Sequence, residues 1–138
     1  MMKPDIVVML HVTAPLRIPA DIDACIHLLE TEAADNVFSV TRSRRNPYYN
    51  MVEFSDNSGN VRLIKQGNFP CVQAAPQVFD MNASIYVWRA EVLKKKAGLF
   101  LGKTRIYVMP TERSIDIDEP IDFIIAEAIL RHRKEKET

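Results

Sequence analysis

Ile6-Val7-Val8-Met9-Leu10 is an uninterrupted apolar run that leads into His11-Val12-Thr13-Ala14-Pro15-Leu16-Arg17-Ile18-Pro19. Such a run suits a strand buried on both faces of a parallel sheet better than a half-exposed hairpin strand. Past the proline-bounded loop the period changes. Ile22, Ile26, Leu29 and Ala33 form a stripe at helical spacing, Pro19 fits a first turn, and Asp21 and Asp23 complement the positive helix end. The spacing predicts a helix over 19–34, and residues 37–41 read as a second core strand. A strand, a helix and a strand in this succession are most economically joined in parallel. The expected class is therefore α/β, with a partial, doubly wound and mostly parallel sheet.

Outward from that unit, residues 51–54 and 61–64 flank Ser55-Asp56-Asn57-Ser58-Gly59-Asn60, where Gly and Asn accept the positive φ of a tight reversal. This reads as a hairpin within an arm, residues 48–80, that projects from the sheet. Residues 67–80, with Pro70 and Pro76, read as an extended loop at a ligand edge. Strand character resumes over 82–88, a short helix follows over 89–97, and another strand is expected over 105–109. A last helix is predicted over 120–134, because Ile121, Ile124, Ile125, Ala128 and Ile129 recur at helical spacing and Pro120 is tolerated in a first turn. The whole is expected to be one domain, residues 1–138, with the arm inside it.

The totals narrow the function classes. With 138 residues, 18 Lys plus Arg against 18 Asp plus Glu, the chain lacks the net charge that attracts a polyanion. Its basic clusters, Arg42, Arg44 and Arg45 in one place and Lys94, Lys95 and Lys96 in another, fit no nucleic-acid module, so no nucleic-acid partner is expected. Cys25 and Cys71 are too few for a disulfide framework or a cysteine metal cluster. No apolar run reaches membrane-spanning length, and the start of the chain has no signal-type apolar segment. A cytoplasmic protein without a membrane partner is the expectation.

Three segments hold side chains suited to chemistry. In Ser114-Ile115-Asp116-Ile117-Asp118-Glu119-Pro120-Ile121-Asp122, extended alternation would put Asp116 and Asp118 on one side, where two carboxylates suit Mg²⁺. The plainer alternative is that one Asp caps the final helix and the rest are surface acids; Asp122 is equally an ordinary first-turn acid. After the first strand, where α/β sheets gather ligands, Thr13 suits a sugar or phosphate, His11 a polar loop contact, and Arg17 either a bidentate carboxylate contact or a tie for the loop. Gln73 and Asn82-Ala83-Ser84 offer amides and a hydroxyl to a polar ligand, or simply satisfy their own loops. Gly59, Gly67, Gly98 and Gly102 form no phosphate-cradling motif before a helix.

Taken in order, Leu10-His11-Val12-Thr13-Ala14-Pro15-Leu16-Arg17, Asn82-Ala83-Ser84-Ile85-Tyr86 and Ser114-Ile115-Asp116-Ile117-Asp118 resemble the acylneuraminate cytidylyltransferases, or CMP-sialic acid synthetases. The resemblance runs across most of the chain. It implies a doubly wound α/β core, a hairpin arm that forms a homodimer, and transfer of CMP from CTP to a 2-keto sugar acid with release of pyrophosphate. It also implies Mg²⁺ held by Asp116 and Asp118, a cleft closed by Thr13 and Arg17, and Asn82 near the sugar.

The chain departs from the family pattern at several of these positions. Ala83 and Ser84 stand where an Asn-Gly-Ala stretch has Gly and Ala, His11 where Gln is usual, and Val72 where Arg precedes Gln73. The family's glycine-containing nucleotide loop has no counterpart before Ile6. The resemblance therefore implies the carboxyl-terminal portion of such an enzyme, with weak or no activity alone and an amino-terminal fragment as complement. The alternative is a non-catalytic sugar- or nucleotide-binding or assembly protein derived from that fold.

Overall fold

The computed structural model describes residues 3–136. In chain order these form β1 (Ile6–Leu10), α1 (Pro19–Thr31), β2 (Asn36–Arg42), β3 (Val52–Phe54), β4 (Val61–Leu63), β5 (Phe79–Arg89), α2 (Ala90–Lys95), β6 (Thr104–Val108) and α3 (Pro120–Lys136), with short 3-10 turns at Val72–Ala74 and Thr111–Arg113. They divide into two compact units: one holds the residues up to Thr41 and from Met81 onward, the other is Arg42–Asp80.

The four-stranded sheet has the order β1-β5-β2-β6. The expected strand–helix–strand order is present, but the mostly parallel sheet is not. β1 pairs antiparallel with β5, from Ile6 opposite Arg89 to Leu10 opposite Ile85. β5 also runs against β2: the Arg89 N–H donates to the Asp35 carbonyl and the Ser43 N–H to the Val78 carbonyl. Only β2 and β6 are parallel. Two of the three pairings are thus antiparallel, because β5 inserts between β1 and β2 in the opposite direction. The apolar run of β1 carried no information about which strand would lie beside it. β1 is an edge strand here, and Val8, Met9 and Leu10 are exposed.

The projected dimerisation arm over 48–80 is also corrected. Within that span, β3 and β4 form a hairpin of two three-residue strands, Val52 to Phe54 against Leu63 to Val61, in a sheet of its own. No dimerisation hairpin is evident among the described residues. The remainder of the span is held by local contacts, such as the edge-on packing of Tyr48 on Phe69. The reversal forms as the composition predicted, with Gly59 at φ 90° and the Asp56 carboxylate accepting from Ser58 and Asn60.

The core of the sheet unit joins Cys25 and Leu29 of α1 to Val37 of β2, Ile85 and Val87 of β5, and Met109. Each fully buried aliphatic side chain here contributes roughly 2 kcal/mol by leaving water. Burial, followed by the charge of Asp21, pushes the Cys25 thiol up to about 12, so it packs as a small apolar group. α1 ends earlier than the pattern predicted. Ala33 adopts φ 48°, and the Ala34 N–H closes back on the Leu29 carbonyl. Arg89 of β5 then donates to the Ala34 and Leu29 carbonyls, supplying from another element the cation that the last turn of α1 lacks. α3 forms where predicted, but of its residues only Ala126 is buried.

Asp21 has more to do than complement a helix end. Its carboxylate is fully buried, accepts the Ile18 N–H at 3.0 Å, and receives the Tyr107 hydroxyl at 3.0 Å and the Arg113 guanidinium at 2.8 Å. Burial by itself would raise the Asp21 carboxyl; the bonds from Arg113, Ile18 and Tyr107 outweigh it and hold the group below its ordinary value. Arg113→Met, which leaves this carboxylate buried without its cation, is expected to cost about 3 kcal/mol in urea denaturation. Because the folded value is depressed, the contribution is complete above the unfolded pKa of about 4 and disappears as pH falls through the folded value. The gap between wild type and variant should therefore close on acidification; a gap that persists unchanged to about pH 2 would contradict the ionised pair.

Candidate functional site

The loop after β1 is folded around Arg17. Its Nη1 donates to the His11 carbonyl at 2.6 Å and the Ala14 carbonyl at 2.7 Å, while Ala14 and Leu16 are fully buried. Through Nη1, Arg17 thus ties its own loop. The His11 N–H donates to the Ser84 carbonyl, and the His11 ring lies 5.1 Å from that of Tyr86. The Thr13 carbonyl accepts the Ile117 N–H at 2.8 Å. That single backbone bond brings the loop after β1 to the acidic segment, although the two lie about a hundred residues apart in sequence.

Within the acidic segment the three acids have separate duties. Asp122, in the first turn of α3, accepts the Glu119 N–H at 2.8 Å and the Asp118 N–H at 3.1 Å, so it satisfies donors left open at the helix start. This frees Asp116 and Asp118 from capping. Asp118 is exposed. Asp116 is half-buried, and its Oδ1 is shielded from solvent with no hydrogen-bond partner. A buried carboxylate oxygen without a donor is costly unless something else neutralises it. The described residues hold no cluster of three or more metal-ligating side chains. Carboxylates are a donor type that Mg²⁺ takes together with several waters and substrate phosphates.

Asn82 is committed within the protein. Its Oδ1 accepts the Ser39 hydroxyl at 2.7 Å, and its Nδ2 reaches Ser114 Oγ at 3.0 Å and Met109 Sδ at 3.3 Å. Regular alternation would put Asn82 on the face of Ser84 and Tyr86. Ala83, at φ 45°, breaks the alternation, and Asn82 joins Ser39 and Met109 instead. Ser84 is fully buried, and its hydroxyl has no partner. Gln73 lies in the other unit, exposed in the Val72–Ala74 turn. Sequence reasoning passed over Ser39, and it gave Ser114 and Tyr86 no role of their own within the motifs that contain them. Burial and then the charge of Asp116 raise the Tyr86 hydroxyl, which marks its proximity to the acid. No local signal identifies these residues, since each matters only through a partner far along the chain.

This arrangement defines an α/β protein with a mixed sheet whose strand-end loop meets an acidic segment. The chain is homologous, over part of their length, to members of the CMP-sialic acid synthetase and flagellin-modification family of cytidylyltransferases. It is 34% identical over 129 residues to Post-translational flagellin modification protein B of Campylobacter coli, covering 94% of this chain and 54% of that protein. It is 41% identical over 88 residues to the CMP-N,N'-diacetyllegionaminic acid synthase of Campylobacter jejuni, covering 64% and 37%. With an N-acylneuraminate cytidylyltransferase of Streptococcus agalactiae the identity is 26% over 117 residues, covering 85% and 28%. The chain thus spans about half the length, or less, of these relatives. No protein-family profile matches it.

The left-handed Ala83 has a measurable cost. An L-residue in that conformation is disfavoured by roughly 1–2 kcal/mol, of which the greater chain entropy of glycine cancels roughly 0.5–1. Ala83→Gly is therefore expected to raise the urea midpoint by the equivalent of about 0.5–1 kcal/mol. A lowered midpoint would mean that the Ala83 methyl makes packing contacts worth more than the strain.

Proposed function

We propose that this chain forms the metal-binding and acceptor-side part of a cytidylyltransferase that moves CMP from CTP to a 2-keto sugar acid of the N-acylneuraminate type, releasing pyrophosphate. The observation that carries the reading is Asp116: a shielded carboxylate oxygen without a partner, beside Asp118, in a segment whose capping is done by Asp122. The names of the relatives support the substrate class. Bound Mg²⁺ would neutralise phosphate charge as the sugar hydroxyl attacks the α-phosphorus of CTP and pyrophosphate leaves. Asp116 and Asp118 would hold it. Arg17 keeps the loop after β1 in shape, and the Thr13 to Ile117 bond keeps that loop against the acids.

The 138 residues contain no glycine-rich cradle for a triphosphate, so by themselves they are expected to bind CTP weakly and turn over slowly or not at all. A second reading, a non-catalytic binding protein, is favoured by one feature: the Asn82 amide is already engaged by Ser39, Met109 and Ser114. Paramagnetic broadening by Mn²⁺ separates the metal site from a surface artefact. Resonances of residues 115–118 should broaden first, Asp116→Asn should weaken the effect at least about tenfold, and Asp122→Ala should retain it while lowering stability by about 1 kcal/mol. Broadening indifferent to Asp116→Asn would remove the metal site. Sustained pyrophosphate release from CTP and N-acetylneuraminate by the chain alone, lost in Asp116→Asn, would support the transfer and overturn both the expected inactivity and the non-catalytic reading.

A further inference from the structure

α3 carries an apolar stripe that the rest of its unit leaves uncovered. Ile121, Ile124, Ile125 and Ala128 follow one another at the i, i+3, i+4, i+7 spacing of a core-facing helix stripe. The helix sits the other way round. Ala126 is the residue it buries, and Arg133, two turns on from Ala126 and on the same side, donates to the Leu16 and Glu112 carbonyls. Ile121, Ile124 and Ile125 are left 53%, 60% and 40% exposed, with Ala128 exposed beside them. Three isoleucines on one face within two turns make a contiguous apolar patch, and such a patch marks a surface that meets another chain.

The shape and charge of the helix select the partner. A groove of about 340 Å³ lies over Ala128, bounded by Ile124, Glu127, Arg131, His132 and Glu135. Ala128 puts only a methyl group into it, which leaves room for a branched side chain from outside. The charges of α3 are sorted by end: Asp118 and Glu119 lead into it and Asp122 lies in its first turn, whereas Arg131, His132, Arg133 and Lys136, interrupted by Glu135, occupy its last turns. Glu127 pairs with Arg131 at 2.8 Å on the exposed side, which leaves that guanidinium donors to spare. A second α3 lying antiparallel meets opposite charge at both ends and an opposed helix dipole; a parallel one meets like charge at both.

We infer that α3 is a self-association surface, through which two copies of this chain pair antiparallel about a two-fold axis between Ile124 and Ile125. In that register Ile121 of each copy enters the groove over Ala128 of the other, Ile124 and Ile125 meet across the axis, and Arg131 and His132 come over the Asp118–Glu119 lead-in. The contact is isologous and closes at two copies. From Asp118 to Arg131 it runs about 20 Å along the helix. That is small for a specific interface, so the dimer dissociates on dilution. The surface uses no residue of the 48–80 span, no CTP and no metal ion, and it goes beyond the transfer reading.

The full chain, free of CTP and divalent metal, is followed by sedimentation equilibrium from about 1 μM to about 1 mM, where a reversible monomer–dimer equilibrium is expected. Ile124→Glu, which puts a charge at the axis, should weaken association at least about tenfold. Phe123→Glu is the control: Phe123 is likewise 60% exposed and the variant adds the same charge to the same turn, but the residue lies off the stripe, so association should change less than about twofold. Glu119→Lys and Arg131→Glu should each weaken pairing about threefold or more, and the double variant should recover most of the loss, because only an antiparallel pair brings these two positions together. All four positions are exposed, and amide spectra report whether each variant folds. A monomer at every concentration, association indifferent to Ile124→Glu, equal weakening by Phe123→Glu, or a double variant no tighter than the single ones would overturn the antiparallel pair. Since no metal is present, that failure leaves the Asp116 reading standing, and the Mn²⁺ experiment can fail without touching this one.

Discussion

β5 runs antiparallel to both of its neighbours, and the elements around it take their places from that insertion. Ile85 and Val87 face the core shared with α1, while Tyr86 and Trp88 stack on the opposite side with ring centroids 6.0 Å apart. At one end Arg89 satisfies the carbonyls that close α1; at the other Asn82 ties β5 to Ser39 of β2 and to Ser114. A strand buried in the middle of a sheet must pair its backbone on both sides. Its direction therefore fixes which residues of β1 and β2 become neighbours, and with them the position of the loop that follows β1.

Buried polar groups then make the packing specific. Asp21 and Asn82 are both nearly inaccessible, and each is surrounded by partners drawn from distant parts of the chain. Such groups destabilise any arrangement that leaves them unpaired, so they penalise alternative packings more than they stabilise the native one. Not every buried polar group is paired: the Thr41 and Ser84 hydroxyls and one Asp116 carboxylate oxygen are shielded without a partner, and each such atom costs stability.

Much of the secondary structure was legible in the sequence because it depends on local period and punctuation. α1 and α3, the reversal around Gly59 and the strand that became β5 all lie close to where apolar spacing, proline and glycine put them. The end of α1 was not legible, since alanine at residue 33 favours continuing a helix and only the closure onto Leu29 and Arg89 holds it at positive φ. The candidate acids were visible as a motif. The division of labour among them was not, because the bonds from Asp122 to the Glu119 and Asp118 N–H groups decide which carboxylates are left over.

By itself the sequence determined that the chain alternates strands and helices, and, through three ordered motifs, the family to which it is related. The tertiary structure decided the direction of the sheet, since an apolar run is equally compatible with a parallel or an antiparallel neighbour. It also set which groups meet: Arg17 Nη1 with the carbonyls of its own loop, Asn82 with Ser39, and Arg42 and Arg45 with Gln73 and Gln77 along one cavity wall. These outcomes depend on which groups meet after long loops have closed. Local pattern does not encode such meetings; the pairing of strands and the need to satisfy buried polar groups do.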